Sequence, residues 1–149
     1  MADRGRHLPI LVHVTVETTG TMLLGSEIGA ALTALEPLGI DVIGLNCATG
    51  PAEMSEHLRY LSRHARIPVS VMPNAGLPIL GPNGAEYPLT APELAVALTG
   101  FVTDYGLSMV GGCCGTTPEH IRQVAEAVAQ VPRAPRDPEH ESATSSLYT

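Results

Sequence analysis

The stretch Val110-Gly111-Gly112-Cys113-Cys114-Gly115-Thr116-Thr117-Pro118-Glu119-His120 decides how this chain folds. An apolar run stops at two glycines, and two adjacent cysteines then lead into a helix start at Thr117 and Pro118. Because neighbouring residues on a strand point to opposite faces, both thiols can face one object only where the strand has ended. We expect the three glycines to supply the backbone freedom that turns the thiols together.

The same strand, turn and helix recur along the chain. Apolar, β-branched runs predict four strands: Leu8–Val16, Ile40–Leu45, Ile67–Met72 and Leu107–Val110. Helices are predicted from about Ser26 to Leu38, from Pro51 to about Ala65, after the Thr90–Glu93 capping box, and from Pro118 onwards. A long loop, Pro73–Tyr87, separates the third strand from its helix. The order βαβαβαβα predicts an α/β fold with a parallel sheet and right-handed connections.

Residues 132–149 differ in composition from the rest. Three prolines and a Ser/Thr-rich end predict a linker or disordered tail. Residues 1–131 then form the domain.

The first strand is expected to be buried, and His13 within it could point into a barrel.

Composition and charge exclude several classes of function. The net charge of -7 argues against nucleic acid or an anionic membrane as a partner, and no apolar run is long enough to span a bilayer. Three cysteines, two of them adjacent, make a poor disulfide framework, and the N-terminus does not resemble a signal peptide. A reducing cytoplasm is the expected compartment.

Cys47 follows the second strand directly, as Cys113 and Cys114 follow the fourth. The loops beyond the carboxyl ends of parallel strands converge on one rim, so the three thiols can meet there although they are far apart in sequence. The sequence therefore predicts a three-thiolate zinc site. Two alternatives stay open, a vicinal disulfide switch and an anion site at the helix start. Neither gives Cys47 a role.

Three thiolates leave one tetrahedral position of zinc open and give the site a net charge of about -1. Such a site suits the binding and deprotonation of a substrate thiol better than the activation of water. Asn74, after the third strand, could offer its carbonyl oxygen to the metal or the substrate, or could simply form a turn before Gly76. Glu17, after the first strand, could receive a substrate ammonium, although a surface or capping role is the commoner one.

Three stretches together resemble the homocysteine S-methyltransferase family, most closely the homocysteine-binding module of its cobalamin-dependent members: Leu45–Pro51, Met72–Pro78 and Val110–Pro118. The resemblance implies a TIM (β/α)₈ barrel, of which this chain would be the C-terminal half, units five to eight. It implies zinc held by Cys47, Cys113 and Cys114, with homocysteine sulfur in the open position. Asn74 matches a motif asparagine that can lie near the metal.

The resemblance also implies transfer of a methyl group from methylcobalamin to homocysteine, giving methionine, with methyltetrahydrofolate recharging the cobalamin. The expected partners are the other half of the barrel, cobalamin and folate modules, or a second copy of the chain. A betaine or S-methylmethionine donor stays open, as does an inactive zinc-binding half-barrel. Since a half-barrel exposes two strand edges, we expect the isolated chain to associate.

Overall fold

The computed structural model describes residues 8–22, 27–82, 84–139 and 142–144. Its strands and helices are, in chain order, β1 (Leu11–Val14), α1 (Ile28–Leu35), β2 (Val42–Asn46), α2 (Pro51–His64), β3 (Val69–Met72), β4 (Ile79–Gly81), β5 (Gly84–Glu86), α3 (Ala91–Tyr105), β6 (Met109–Val110) and α4 (Pro118–Val128). The four predicted β/α units are therefore present, and each predicted strand is shorter than its apolar run.

The main sheet is parallel and has the strand order β1-β2-β3-β6, which is the order of these strands in the chain. Crossovers between neighbouring parallel strands are right-handed as a rule, which places successive helices on one face of the sheet. The contacts of α1 with α2, α2 with α3 and α3 with α4 agree with that placement. A doubly wound sheet would instead reverse direction and place helices on both faces. The architecture is that of successive units of a (β/α) barrel, as the sequence predicted.

The core lies between this sheet and its helices. The most deeply buried aliphatic side chains alternate along two central strands and recur along two helices: Ile43, Leu45, Val69, Val71, Leu58, Leu61, Leu94 and Leu98. Because strand residues alternate between faces, the residues between these lie on the opposite, inner face of the sheet.

A polar row crosses that inner face. His13, Gly44 and Ser70 are aligned on β1, β2 and β3. His13 Nε2 and Ser70 Oγ form a hydrogen bond directly over Gly44, where a Cβ would collide with both side chains. The expectation that His13 points inward agrees with this placement. Its burial lowers the pKa of the imidazole.

The prediction that the first strand is buried was wrong. Leu11 is 40% exposed, and the preceding Leu8 is 59% exposed. Both β1 and β6 stand at the ends of the sheet, and no strand among the described residues pairs with their outer edges. An apolar run predicts a strand, but it does not predict whether that strand lies in the middle or at the edge of the sheet.

Two further predictions needed correction. The loop expected between Pro73 and Tyr87 contains an antiparallel hairpin, β4 and β5, whose short strands lack the apolar alternation that marks longer ones. The first helix ends at Leu35, and a 3₁₀ turn, Glu36–Leu38, carries the chain to Gly39 in the left-handed region. Its predicted start at Ser26 lies outside the described residues.

The other helix starts agree with the sequence. The Thr90 amide donates to Glu93 Oε2 over 2.8 Å at the start of α3. Pro51 is the first residue of α2, and Pro118 that of α4. These capping signals are local, so sequence alone could place them.

Residues 132–139 form no helix or strand, yet they lie against the framework. The Arg136 guanidinium donates to backbone carbonyls at the end of α2 and just beyond it, those of Leu61, Ser62, Ala65 and Ile67. The Ala134 amide donates to Val102 O over 3.1 Å, and the Glu139 amide donates to Arg63 O over 2.7 Å. Packing therefore extends to residue 139, and the role of the tail as a linker stays a prediction.

Candidate metal centre

Three loops meet at the carboxyl end of the sheet, and the middle loop joins the outer two. The Cys47 amide donates to Met72 O over 3.1 Å, and the Asn74 amide donates to Thr49 O over 3.0 Å. On the other side, the Cys113 amide donates to Pro73 O over 2.8 Å. The loop after β3 thus fixes the separation between the two cysteine loops.

Asn74 contributes its side chain to the same link. It is 2% exposed, and its Oδ1 accepts the Cys114 amide over 3.1 Å. The Ala75 amide in turn donates to Cys114 O over 2.9 Å. Cys114 is therefore held at both its backbone donor and its backbone acceptor by consecutive residues of one loop.

Cys47 reaches the site through an uncommon backbone conformation. Cys47 has φ 60° and Ala48 has φ 56°, so two consecutive non-glycine residues occupy the left-handed region. Such residues cost of order 1–3 kcal/mol each and persist where their surroundings over-determine them. The hydrogen bond to Met72 O and a contact from the Thr49 amide to Cys47 O, 2.7 Å, supply that constraint here.

The predicted role of the glycines in the tandem-cysteine turn is only partly right. Gly115 has φ 76°, a conformation that glycine adopts without strain. Gly112 is needed for a different reason, because a Cβ there would collide with the side chain of Thr116. Gly111 has neither a positive φ nor a close neighbour, so nothing in the geometry requires glycine at that position.

The three sulfur atoms lie together, as the sequence predicted. Cys114 Sγ is 3.7 Å from Cys47 Sγ and 3.9 Å from Cys113 Sγ, and all three lie within 4.8 Å of one another. Metal–sulfur bonds of 2.3 Å at tetrahedral angles give sulfur–sulfur edges of about 3.8 Å. The donor set and its spacing therefore fit a zinc ion with three thiolate ligands.

The same distances bear on the alternatives. All three cysteines are free thiols, and the 3.9 Å between the sulfurs of the vicinal pair, Cys113 and Cys114, is far longer than a disulfide bond of about 2.05 Å. The anion site would need the free backbone amides at the start of α4. One of them, the His120 amide, already donates to the Thr117 hydroxyl over 3.5 Å. Only the metal site uses all three sulfurs.

The thiols differ in their surroundings. Burial, followed by hydrogen bonding with Cys114, raises the pKa of the Cys113 thiol to about 11. Hydrogen bonds from Cys47 and Cys113 lower the pKa of Cys114, the sulfur that lies between the other two. Three adjacent thiolates repel one another, so a bound cation would be needed to hold all of them ionised.

Glu17, the other candidate from the sequence, lies in the exposed loop after β1. Its backbone forms a turn in which the Gly20 amide donates to Glu17 O over 2.9 Å. Within the described part of the chain, no hydrogen bond or ion pair joins its carboxylate to the thiols. A role in substrate binding stays a prediction for Glu17, and also for Asn74.

Tyr87 is a site residue that sequence reasoning missed. It follows β5, and its ring packs against Gly115, the residue after Cys114. Burial, and then the neighbouring Cys114 thiol, raises the pKa of the phenol. A tyrosine in a long polar loop carries no signal of its own, because the hairpin that returns it to the site was not visible in the sequence.

Parallel β/α units with three thiols gathered at one rim define a class, that of (β/α)-barrel proteins with a candidate metal site. Comparison with known proteins gives the family. The homocysteine S-methyltransferase family profile matches residues 1–128, and the chain belongs to that family. It is 74% identical over 149 residues to the methionine synthase of Mycobacterium tuberculosis and 72% identical over 154 residues to that of Mycobacterium leprae.

Both alignments cover all of this chain but only 12% and 13% of the two relatives. The chain thus corresponds to a small part of much longer proteins. Among the described residues, no helix has the length and apolar character needed to cross a bilayer.

Proposed function

We propose that this chain is the zinc-holding half of a homocysteine-binding barrel, in an enzyme that methylates homocysteine to methionine. The observation that carries the proposal is the spacing of the three sulfurs: Cys114 Sγ lies 3.7 and 3.9 Å from the other two, which matches a tetrahedral thiolate site. Family membership and the methionine synthase relatives support the choice of substrate.

Zinc held by Cys47, Cys113 and Cys114 would supply an open position for the homocysteine thiol and keep that thiol ionised near neutral pH. The ionised homocysteine sulfur would form a bond to the methyl carbon, and the electron pair of the bond that breaks would stay on the donor. The chain's own part is to hold three sulfurs in place on the rim, which it does through the loop after β3.

Two polar side chains are assigned to the substrate. Asn74 has one oxygen lone pair committed to the Cys114 amide, which leaves a second for the substrate or the metal. Glu17 is exposed in the loop after β1, at the same end of the sheet, and its carboxylate would receive the homocysteine ammonium. Both assignments rest on location and chemistry.

The methyl donor we propose is methylcobalamin on another module, recharged by methyltetrahydrofolate. Support comes from the methionine synthase relatives, which are far longer than this chain. The outer edges of β1 and β6, with which no described strand pairs, support a further partner, either the other half of the barrel or a second copy of the chain. Reduced thiols support a cytoplasmic location. We propose residues 1–131 as the barrel segment and residues 132–149 as a linker or tail, which is docked on the framework as far as residue 139.

The first test uses the reduced chain loaded with Co²⁺, whose sulfur-to-metal absorption reports its ligands. L-Homocysteine should increase that absorption, and homoserine, which carries a hydroxyl in place of the thiol, should not. An unchanged spectrum with homocysteine would favour the inactive zinc-binding alternative.

A second test identifies the donor. Methionine formation from homocysteine is measured with methylcobalamin, a betaine or S-methylmethionine, using the chain alone and the chain in place of the matching segment of the Mycobacterium tuberculosis relative. We expect turnover with methylcobalamin. Turnover with either of the other donors, and none with methylcobalamin, would contradict the proposed donor.

A further inference from the structure

The segment that follows β5 lies between the tandem-cysteine turn, Cys113–Thr117, and the loop after β3. The ring of Tyr87 packs on the backbone of Gly115 in the turn, where a Cβ would collide with it. Leu89 packs on Gly76 of the other loop, and a Cβ on Gly76 would lie 3.2 Å from it. Two glycines from different loops thus leave room for this one segment.

A circuit of hydrogen bonds runs through the same segment and returns to the turn. The Ala75 amide donates to Cys114 O over 2.9 Å, and the Leu89 amide donates to Ala75 O over 2.9 Å. His120 Nε2 donates to Leu89 O over 2.9 Å, and the Thr117 amide donates to His120 Nδ1 over 3.2 Å. Because Thr117 lies three residues after Cys114, the circuit closes on the turn. The imidazole of His120 is its one side-chain link.

The two partners of His120 fix the state of its ring. A backbone amide can only donate and a carbonyl oxygen can only accept, so Nδ1 has to be unprotonated and Nε2 has to carry the proton. The side chain is half-buried between α4 and the segment after β5. The circuit is therefore complete with a neutral imidazole in a single tautomer.

We propose that His120 is a positioning residue of the metal centre, whose imidazole closes this circuit and so holds the tandem-cysteine turn against the loop after β3. The inference rests on the proposed function, because it assigns His120 a role toward a metal bound by the three cysteines. Cys114 Sγ lies 3.7 Å from Cys47 Sγ, and the Cys47 amide is bonded to Met72 O at the end of β3. A turn that is fixed against the same end of the sheet keeps this sulfur spacing before the metal binds, so less ordering remains for the metal to pay for.

Two uncharged variants separate the two bonds of the ring. The short amide of His120→Asn can accept the Thr117 amide in place of Nδ1 but cannot reach Leu89 O, whereas the longer amide of His120→Gln can reach it. The reduced chain and both variants are loaded with Zn²⁺ and titrated with a competing chelator at one pH. Since one hydrogen bond of the circuit is lost, we expect about fivefold weaker zinc binding for His120→Asn, and binding within about twofold of wild type for His120→Gln. Equal affinities of the two variants would overturn the proposal.

A matched control separates this role from the capping of α4. Thr117→Ala removes the hydroxyl that accepts the His120 amide and keeps the backbone amide that donates to Nδ1. We expect its zinc affinity to stay within about twofold of wild type, although the helix start is weakened. A loss as large as that of His120→Asn would overturn the proposal, because capping alone would then explain both.

The nitrogen chemical shifts of the His120 ring, measured by NMR on the metal-free chain, give a readout that does not depend on zinc. We expect a protonated Nε2 and an unprotonated Nδ1, and a ring protonated at Nδ1 would overturn the proposal. A wild-type chain that has the expected tautomer and binds no zinc would instead overturn the proposed function.

Discussion

Replacing Asn74 by alanine tests how the cysteine loops are held together. The side chain is 2% exposed, and its Oδ1 accepts the Cys114 amide over 3.1 Å. Loss of the acceptor removes one hydrogen bond and leaves a partly buried donor without its partner, which together cost about 1–2 kcal/mol. We expect Asn74→Ala to lower the free energy of unfolding of the metal-free chain by that amount.

The same loss should appear in metal binding, because the loop then has to be ordered when zinc binds. A cost of about 1–2 kcal/mol corresponds to roughly 5–30-fold weaker zinc binding. Unfolding in urea, with chelator and reductant present, gives the first quantity, and chelator competition gives the second. Asn46→Ala is the control, since Asn46 ends β2 beside Cys47 but accepts only a 3.3 Å hydrogen bond from Thr15.

The two measurements together can refute this reasoning. If Asn74→Ala weakened zinc binding and left the metal-free chain as stable as wild type, then Asn74 would act on the metal directly. If neither quantity changed, its hydrogen bond to Cys114 would contribute nothing to the site.

Two further predictions concern stability away from the thiols. Arg136→Ala should lower the free energy of unfolding, measured in urea, by about 2–4 kcal/mol, because its half-buried guanidinium donates to four carbonyls around the end of α2. The control Arg133→Ala loses one exposed contact to Ser108 and should cost less than about 1 kcal/mol. Equal losses in the two variants would contradict the docking of residues 132–139. Burial lowers the pKa of His13 from 6.5, so the unfolded chain binds the proton more readily, and the free energy of unfolding should decrease as the pH falls below about 6.5. In His13→Gln this part of the pH dependence should disappear. An unchanged pH profile would show that His13 is not its cause.

The fold was predictable because its signals are local and repeated. Each apolar run with a helix start after it marks one β/α unit, and the order of the units then leaves few topologies. The apolar runs alone did not indicate how many neighbours each strand has, although the half-barrel resemblance implied two exposed edges. Leu11 is exposed because β1 lies at an edge of the described sheet. The short hairpin β4–β5 was missed because its strands are too brief to show a period.

The sequence predicted which loops form the site but not the geometry of the site. The ends of the predicted strands indicated which loops share a rim, and the cysteines in those loops indicated a metal. Nothing in the sequence around Cys47 and Ala48 indicates a left-handed backbone conformation, which Gly, Asn and Asp adopt more often than other residues. Tyr87 depended on long-range packing against Gly115, and such contacts leave no pattern in a single sequence.

The most direct test of the central claim is the number of sulfur neighbours around bound zinc, measured by X-ray absorption on the reduced chain. We expect one zinc ion per chain with three sulfurs at about 2.3 Å, and a fourth sulfur when L-homocysteine is added. In Cys47→Ser, the zinc without homocysteine should have two sulfur neighbours and be lost more readily to a chelator. Three sulfurs and an unchanged affinity in Cys47→Ser would contradict the claim that Cys47 shares one metal ion with Cys113 and Cys114.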